Sequence, residues 1–254
     1  MKRNRIFLTF DVEEWTVPLD YGVNSVFNNN TKFSRDGCNR ILEILEKYNI
    51  KSTFFVTGKF AISEKKITHS IIEHGHEVAC HGYIHKNLRE LSIIEIKTQL
   101  KKATKILEKI TKEKIIGFRA PYYSIDKKTL DILYTLGYEY DSSFHPTLFN
   151  SSFYQSQIKE IPISTFSIFK LPMSWRWFRN FGVKWITFAT KNILKRKDII
   201  LVFHTWEFVD LPYIKGIPLS IIRNTGDNFL KQLEKFIINF SNIKFGRLKE
   251  YGKK

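Results

Sequence analysis

Cysteine is nearly absent. Cys38 and Cys80 are the only two in 254 residues, too few for a disulfide framework, and no C-x-x-C pair is present. The chain also lacks any apolar run long enough to span a membrane. Its first apolar run, Ile6 to Phe10, stops at Asp11. That is too short for the apolar region of a secretory signal, although Met1-Lys2-Arg3-Asn4-Arg5 ahead of it is basic. No low-complexity tract and no internal repeat interrupts the sequence, so one domain over residues 1–254 is expected, in a reducing cytoplasmic setting. Acid is scarce relative to base: 41 Lys+Arg stand against 25 Asp+Glu, a formal charge of +16. Such an excess suits nucleic acid, an anionic membrane surface or an acidic substrate. The cations are spread through helical segments and not gathered in a nucleic-acid module, so no nucleic-acid partner is expected, and solvated lysine-rich helix faces account for much of the excess.

What is present is an alternation of strand and helix. Arg5 to Phe10 (RIFLTF), Lys51 to Thr57 (KSTFFVT), His76 to Cys80, Ile115 to Phe118 and Asp198 to Phe203 (DIILVF) read as short buried strands, with Tyr138 to Asp141 extended. Cys38, Ile41, Leu42 and Leu45 recur at helical spacing in a helix ending near Asn49, and Gly58 closes the second strand. Further helices run from about Glu64 to His74, from a Ser92/Glu95 capping box to Ile110, from Asp126 to Leu136, and from about Asn228 to Phe240. Ile243 to Phe245 is a candidate last strand closing the sheet. The repetition implies an α/β fold with a parallel sheet. Asp11, His81, Arg119, Asp141 and His204 each follow a strand. In a (β/α) barrel those ends converge on one face, where the chemistry sits.

Five segments carry these residues. In Phe10-Asp11-Val12-Glu13-Glu14-Trp15, residues two apart on an extended chain point the same way, so Asp11 and Glu13 face one site while Val12 packs behind. In His81-Gly82-Tyr83-Ile84-His85, histidines four apart on one face of a helical turn are able to share a metal. Two imidazoles and one carboxylate suit Zn²⁺ with a position left for water. Phe118-Arg119-Ala120-Pro121-Tyr122 carries an arginine from a strand into a proline-fixed turn, Tyr140-Asp141-Ser142-Ser143 an acid, and Phe203-His204-Thr205-Trp206-Glu207 a histidine directly after the strongest strand. Singly, each has a plain structural explanation: an acidic loop, unrelated surface histidines, a loop ion pair, a turn cap, a satisfied buried histidine.

Together and in this order the segments resemble the polysaccharide deacetylase family, also known as NodB-homology or carbohydrate esterase family 4. FDVEEW, HGYIH, FRAPYYSI, YDSS and HTWEF are similar to its branch with D-V-E-D/E-W in the first motif. The resemblance spans roughly residues 5 to 210. It implies a single distorted (β/α) barrel of about seven parallel strands, with one divalent metal ion, most simply Zn²⁺. It further implies Asp11 as the base that activates water, His81 and His85 as ligands, and Arg119 as the partner orienting the base. His204 becomes the general acid protonating the leaving amine, Asp141 the acid that raises the pKa of that histidine, and Tyr122 and Trp206 residues of the substrate groove. The implied reaction is hydrolysis of the N-acetyl group of an amino sugar in a glycan or glycolipid. Two departures stand out. The family commonly has a second aspartate where this chain has Val12, so residue alternation nominates Glu13 as third ligand, with Glu14 the alternative. It also commonly has Ser or Thr after the first histidine, where this chain has Gly82.

Two other readings stay open: a cyclic-amide hydrolase of the allantoinase-like kind on the same scaffold, and an inactive carbohydrate-binding homologue, against which the intact base and three histidines speak. Trp175 to Lys197 combines Trp175, Trp177, Phe178, Phe181, Trp185 and Phe188 with seven Lys/Arg and no acid. An interfacial membrane segment has this composition, and docking on the anionic inner face of a membrane would give access to a lipid-linked sugar. A barrel helix with its aromatics turned inward has it too, and the stretch between Glu160 and Trp177 (EIPIST … LPMSW) resembles family scaffold, which favours that reading.

Overall fold

Alternation along the first strand sorts the interior of the molecule. In β1 (Ile6–Val12), Ile6, Leu8, Phe10 and Val12 pack outward beneath the helices. Phe7 faces the barrel interior with Phe55, Ala79, Tyr140 and Ile200. Thr9 and Asp11 share that inward parity. A computed structural model describes residues 4–146, 154–166 and 170–253; Met1–Arg3 and parts of the irregular stretch between Asp141 and Trp175 lie outside the described residues.

The chain continues through α1 (Val17–Asp20), α2 (Lys32–Lys47), β2 (Thr53–Val56), α3 (Gly58–Ser63), α4 (Lys65–Glu73), β3 (Glu77–Cys80) and α5 (Ile93–Thr111). It then forms β4 (Gly117–Phe118), α6 (Lys127–Thr135), β5 (Tyr140–Asp141), β6 (Lys159–Glu160) and the two-stranded β7 (Thr165–Phe166) and β8 (Leu171–Pro172). The last elements are α7 (Trp175–Leu194), β9 (Ile199–His204), α8 (Leu219–Ile222) and α9 (Asp227–Asn239). Helix α2 buries Cys38, Ile41, Leu42 and Leu45, the stripe its spacing predicts. Helix α5 opens with the full Ser92–Glu95 capping box, which satisfies backbone donors at its first turn. Phe10 joins neighbouring strands by stacking on Phe54 and Phe203, with ring centroids 5.0 and 5.5 Å apart.

Seven strands pair in the order β6-β5-β4-β3-β2-β1-β9, every pair parallel. This is the distorted (β/α) barrel expected of the sequence. Between edge strands β6 and β9 irregular backbone closes the wall. Ser164 N–H donates to the Ile200 carbonyl at 3.3 Å, Ile200 N–H donates to Ser164 Oγ at 2.9 Å, and Ser174 bridges Val202.

Two local expectations change. Gly58 does not simply close a strand; it begins α3, whose cap is the Thr57 hydroxyl accepting from Phe60 N–H. A Cβ at Gly58 would lie 2.9 Å from the Tyr83 ring and 3.2 Å from Ala103 Cα, so the approach of α3 to α5 requires glycine. Ile243 to Phe245 does not close the sheet either. Phe245 makes an isolated bridge to Ile6, beside the start of β1, where β2 has not yet begun to pair.

Candidate active site

Strand parity delivers the first carboxylates. Asp11 ends the inward row of β1, Glu13 continues it beyond the strand, and Val12 between them is buried on the helix side. Glu13 Oε2 lies 3.2 Å from His81 Nε2 and 3.0 Å from His85 Nε2. One atom from each of the three falls within 4.8 Å of the others. Glu14 turns away: Thr57 Oγ1 donates to its Oε2 at 3.0 Å, and burial raises its carboxyl pKa.

The histidines meet by a different route from the one their spacing predicts. Residues 81–85 form a bend and not a helical turn. Gly82 adopts φ +81°, a conformation that strains any residue with a Cβ, so glycine here answers a backbone requirement. His81 Nδ1 lies 2.9 Å from the Arg119 carbonyl. A carbonyl only accepts, so Nδ1 carries the proton and Nε2 presents its lone pair on the side of Glu13. Burial opposes charge on Glu13, yet His85 and His81 hold its carboxyl well below the usual range. Burial likewise opposes a proton on His85, and Glu13, Asp20 and Asp11 raise its pKa. Two imidazole nitrogens and a carboxylate oxygen converging on one point are a donor set suited to a divalent ion such as Zn²⁺. The residues fit that group.

Arg119, fully buried, donates from Nη1 to Asp11 Oδ1 at 2.8 Å and to Thr9 Oγ1 at 3.0 Å. Its Nε and Nη2 reach Ser142 O and Ser142 Oγ at 3.0 and 3.1 Å, and its plane lies 4.0 Å from the Phe55 ring centre. The guanidinium therefore fixes Asp11 while each of its three nitrogens donates a hydrogen bond. Tyr123 approaches Asp11 as well, its hydroxyl donating to Oδ2 at 3.4 Å.

His204 ends β9 opposite Asp11 in the register of the β1–β9 pair. Its ring stacks on Trp206 at 4.8 Å and meets Trp175 edge-on at 5.7 Å. Burial lowers its pKa, against the pull of Glu13 and Asp11. Trp206 is 2% exposed and donates from Nε1 to Glu13 Oε1 at 3.2 Å, so it supports both His204 and Glu13 besides lining the cleft.

The expected pairing of Asp141 with His204 is corrected. Tyr140 occupies the inward position of β5, so Asp141 points outward, in register with Phe118 on β4. Its oxygens accept from Ser143 N–H at 3.0 Å and Ser143 Oγ at 2.6 Å, and it hydrogen-bonds the Glu160 carboxyl, which burial and Asp141 push up to about 11. Ser143 Oγ in turn accepts from Ala120 N–H at 2.7 Å. Asp141 thus braces the loop behind Arg119. The carboxylate beside His204 is Glu207, whose Oε2 lies 3.9 Å from Nδ1. Glu207 is fully buried and paired with Arg179 at 3.3 Å. Residue spacing held a signal for it, since an acid three positions after His204 caps the turn that His204 begins.

Asp11, Glu13, His81, His85 and His204 open into one cleft of about 490 Å³, walled by Tyr122, Tyr123, Trp175 and Trp206. Tyr122 is 44% exposed, packs 4.3 Å from the His85 ring and donates its hydroxyl to Asp20 at 2.7 Å. It and Tyr123 both adopt left-handed backbone, φ 56° and 55°, a strain typical of functional loops. Tyr123, Trp175 and Glu207 are the site residues that motif reading passed over.

The polysaccharide deacetylase family profile matches residues 1–140, and a profile described as a domain of unknown function (DUF3473) matches residues 139–253; the seven-stranded sheet draws strands from both parts. The chain is 35% identical over 111 residues to the peptidoglycan deacetylase-like protein FGM2 of Gibberella zeae, a match covering 43% of this chain and 33% of that protein. This chain therefore aligns with about a third of that relative's length. Among solved structures, a CE4-family pseudoenzyme from Bacillus anthracis superposes with TM-score 0.63 at 18% identity, covering 98% of this chain and 65% of that one. The family 4 carbohydrate esterase from Streptomyces lividans in complex with acetate superposes with TM-score 0.59 at 12% identity, covering 95% and 90%. At those identities the superpositions establish the fold alone. The match over residues 1–140 goes further: this chain belongs to the NodB-homology polysaccharide deacetylase family.

Proposed function

We propose that this chain hydrolyses the N-acetyl group of an amino sugar in a glycan or glycolipid, with Glu13, His81 and His85 holding a divalent metal ion, most simply Zn²⁺. The observation that carries the reading is the convergence of those three residues beside an Arg119-bound Asp11, with His204 on the adjoining strand. A bound divalent ion would supply Lewis acidity toward the acyl oxygen. Asp11, held by Arg119, accepts a proton from water as the new C–O bond forms at the acetyl carbon. His204 then delivers a proton to the amide nitrogen as the C–N bond breaks, leaving acetate and a free amine. The aromatic walls of the cleft suit the apolar faces of sugar rings.

Acetate release from a panel of N-acetylated sugars and oligosaccharides tests the reading, with and without added Zn²⁺ and a chelator. The expected outcome is metal-dependent acetate release that Asp11→Asn abolishes. Cleavage of cyclic amides without acetate would assign the other C–N hydrolase reading. Sugar binding without turnover would group the chain with inactive homologues.

A further inference from the structure

Helix α7 divides its residues between two environments. Phe178, Ile186, Ala189 and Ile193 face the core, and Trp175 lines the cleft beside His204. Phe181 and Phe188 turn outward, 56% and 60% exposed. Trp185, half-buried between them, packs partly against the core, and Trp177 is half-buried at the end of the row. The rings form a continuous row: Trp177 stacks on Phe181 at 5.3 Å, Phe181 meets Trp185 at 5.6 Å, and Phe166 bridges Trp185 and Phe188 at 6.1 and 5.9 Å. The row continues across the break in the helix at Gly182, φ 79°.

Cations surround this row. Arg176, Lys184, Lys191, Lys195, Arg196 and Lys197 are exposed, and no acid occurs between Trp175 and Lys197. At its far end, Phe166 and Phe188 share one depression with Lys170, Lys195 and Arg196. A row of rings with Phe181 and Phe188 exposed is unusual on a solvated helix and marks an interaction surface. A second copy of the chain would set cations against cations. A lipid surface with anionic headgroups matches both features, taking aromatic rings at the headgroup boundary and cations against phosphate. Among the described residues no helix is long and apolar enough to cross a membrane, so the contact is peripheral.

We infer that the outer face of α7, from Trp177 to Phe188 together with Phe166 and its flanking lysines and arginines, docks this protein on an anionic lipid surface. Trp175 and Trp177 share the first turn of α7 but, two apart on a helix, point to different sides, so the docked face and the cleft meet only at that turn. On the deacetylase reading above, a sugar carried on a lipid would then be presented near Asp11 and His204; the docking itself does not depend on that reading.

Co-sedimentation of the full chain with phosphatidylglycerol/phosphatidylcholine vesicles and with pure phosphatidylcholine vesicles, at low and high salt, tests the inference. Binding should favour the anionic vesicles and weaken with salt. The exposed double variant Phe181→Ser/Phe188→Ser should lose most of it. Lys184→Ala/Lys191→Ala/Lys195→Ala should lose roughly fivefold per cation removed, on the order of a hundredfold in all. Both variants should keep the parent's melting temperature and its acetate release from soluble N-acetyl sugars. Equal binding to both vesicle types, or wild-type binding by the Phe181/Phe188 variant, overturns the proposal. So does a concentration-dependent dimer abolished by Phe181→Ser/Phe188→Ser, which assigns the face to self-association. Because vesicle binding is read without substrate, an inactive protein that still sediments refutes deacetylation and leaves docking standing.

Discussion

Glu207 accepts the backbone N–H of His204 on Oε2 at 2.9 Å and brings the same oxygen to 3.9 Å from that residue's Nδ1. Its other oxygen is anchored by Arg179, which also donates to the Ser220 and Ile221 carbonyls at 3.0 and 2.6 Å. The backbone of the histidine at the end of β9 is therefore held by a buried acceptor fixed from behind by a guanidinium, and its Nδ1 lies near that acceptor without a hydrogen bond to it. Burial lifts the Glu207 carboxyl to about 8 against the pull of Arg179, so an acceptor oxygen here matters more than a full charge.

Glu207→Ala should consequently lower kcat roughly 10–100-fold, the range for loss of an orienting partner, with metal content and KM unchanged. Glu207→Gln keeps an acceptor oxygen and should recover most of the loss. In a His204→Ala background Glu207→Ala should cost little more, because paired residues are not additive. Equal losses in both backgrounds would show that Glu207 does not act through His204.

The first motif divides its labour between carboxylates that face different partners. Glu13→Gln should weaken Zn²⁺ binding by at least the roughly 10–100-fold that loss of an outer-shell partner costs, and excess metal should partly restore activity. Asp11→Asn should retain metal and lose turnover. Glu14→Gln should affect neither strongly, since Glu14 meets Thr57 away from the histidines. Titration of the three apo variants with Zn²⁺ separates the roles; loss of affinity in Glu14→Gln with normal affinity in Glu13→Gln would reverse the assignment.

Parity explains both what could be read from sequence and what could not. Residues two apart on a strand share a face, which was enough to put Asp11 and Glu13 together and to bury Val12. The same rule applied to β5 turns Asp141 outward, because Tyr140 already fills the interior position, but only the register with β4 shows which parity β5 takes. His81 and His85 were legible as a pair, though a bend through Gly82 joins them and not a helical turn. Trp175 stood among residues of interfacial composition; that it walls the cleft depends on β8 and α7 returning the chain to β9, a contact distant in sequence. The strands and amphipathic helices were legible because their burial patterns are local.

Arg119 is the most heavily committed charge in the barrel, with no surface exposed. Arg119→Met removes the counter-charge of a buried carboxylate and should destabilise the fold by about 3–5 kcal/mol. Arg119→Lys keeps the charge but cannot supply the fork that reaches Thr9, Asp11 and Ser142 together, and should lower kcat more than it lowers stability. Denaturant melts alongside steady-state kinetics distinguish the two effects; parallel behaviour of Lys and Met variants would make charge irrelevant at this position.

Acid stability has a separate determinant far from the cleft. His76 is 2% exposed and its Nδ1 accepts the Ser52 backbone N–H at 3.2 Å, so the folded ring is neutral with its proton on Nε2. Burial, then Lys51, His74 and Arg247, lower its pKa from 6.5 to about 3. In that interval the unfolded chain binds a proton at this residue that the folded chain does not. Stability from His76 is therefore whole above about pH 6.5 and declines as pH falls, by up to about 1.4 kcal/mol per unit, until the folded ring also protonates near pH 3. Between pH 6.5 and 4 the loss is on the order of 3 kcal/mol. His76→Asn places an acceptor oxygen within reach of Ser52 N–H and has no proton to gain. Its unfolding free energy should start lower at pH 7, where an imidazole's packing is lost, and fall less steeply toward pH 4 than that of the parent. Urea denaturation of both proteins across that range measures the difference in slope, in which carboxylates common to the two cancel. Parallel curves would mean that His76 takes up its proton in the folded protein too, at the expense of the bond from Ser52.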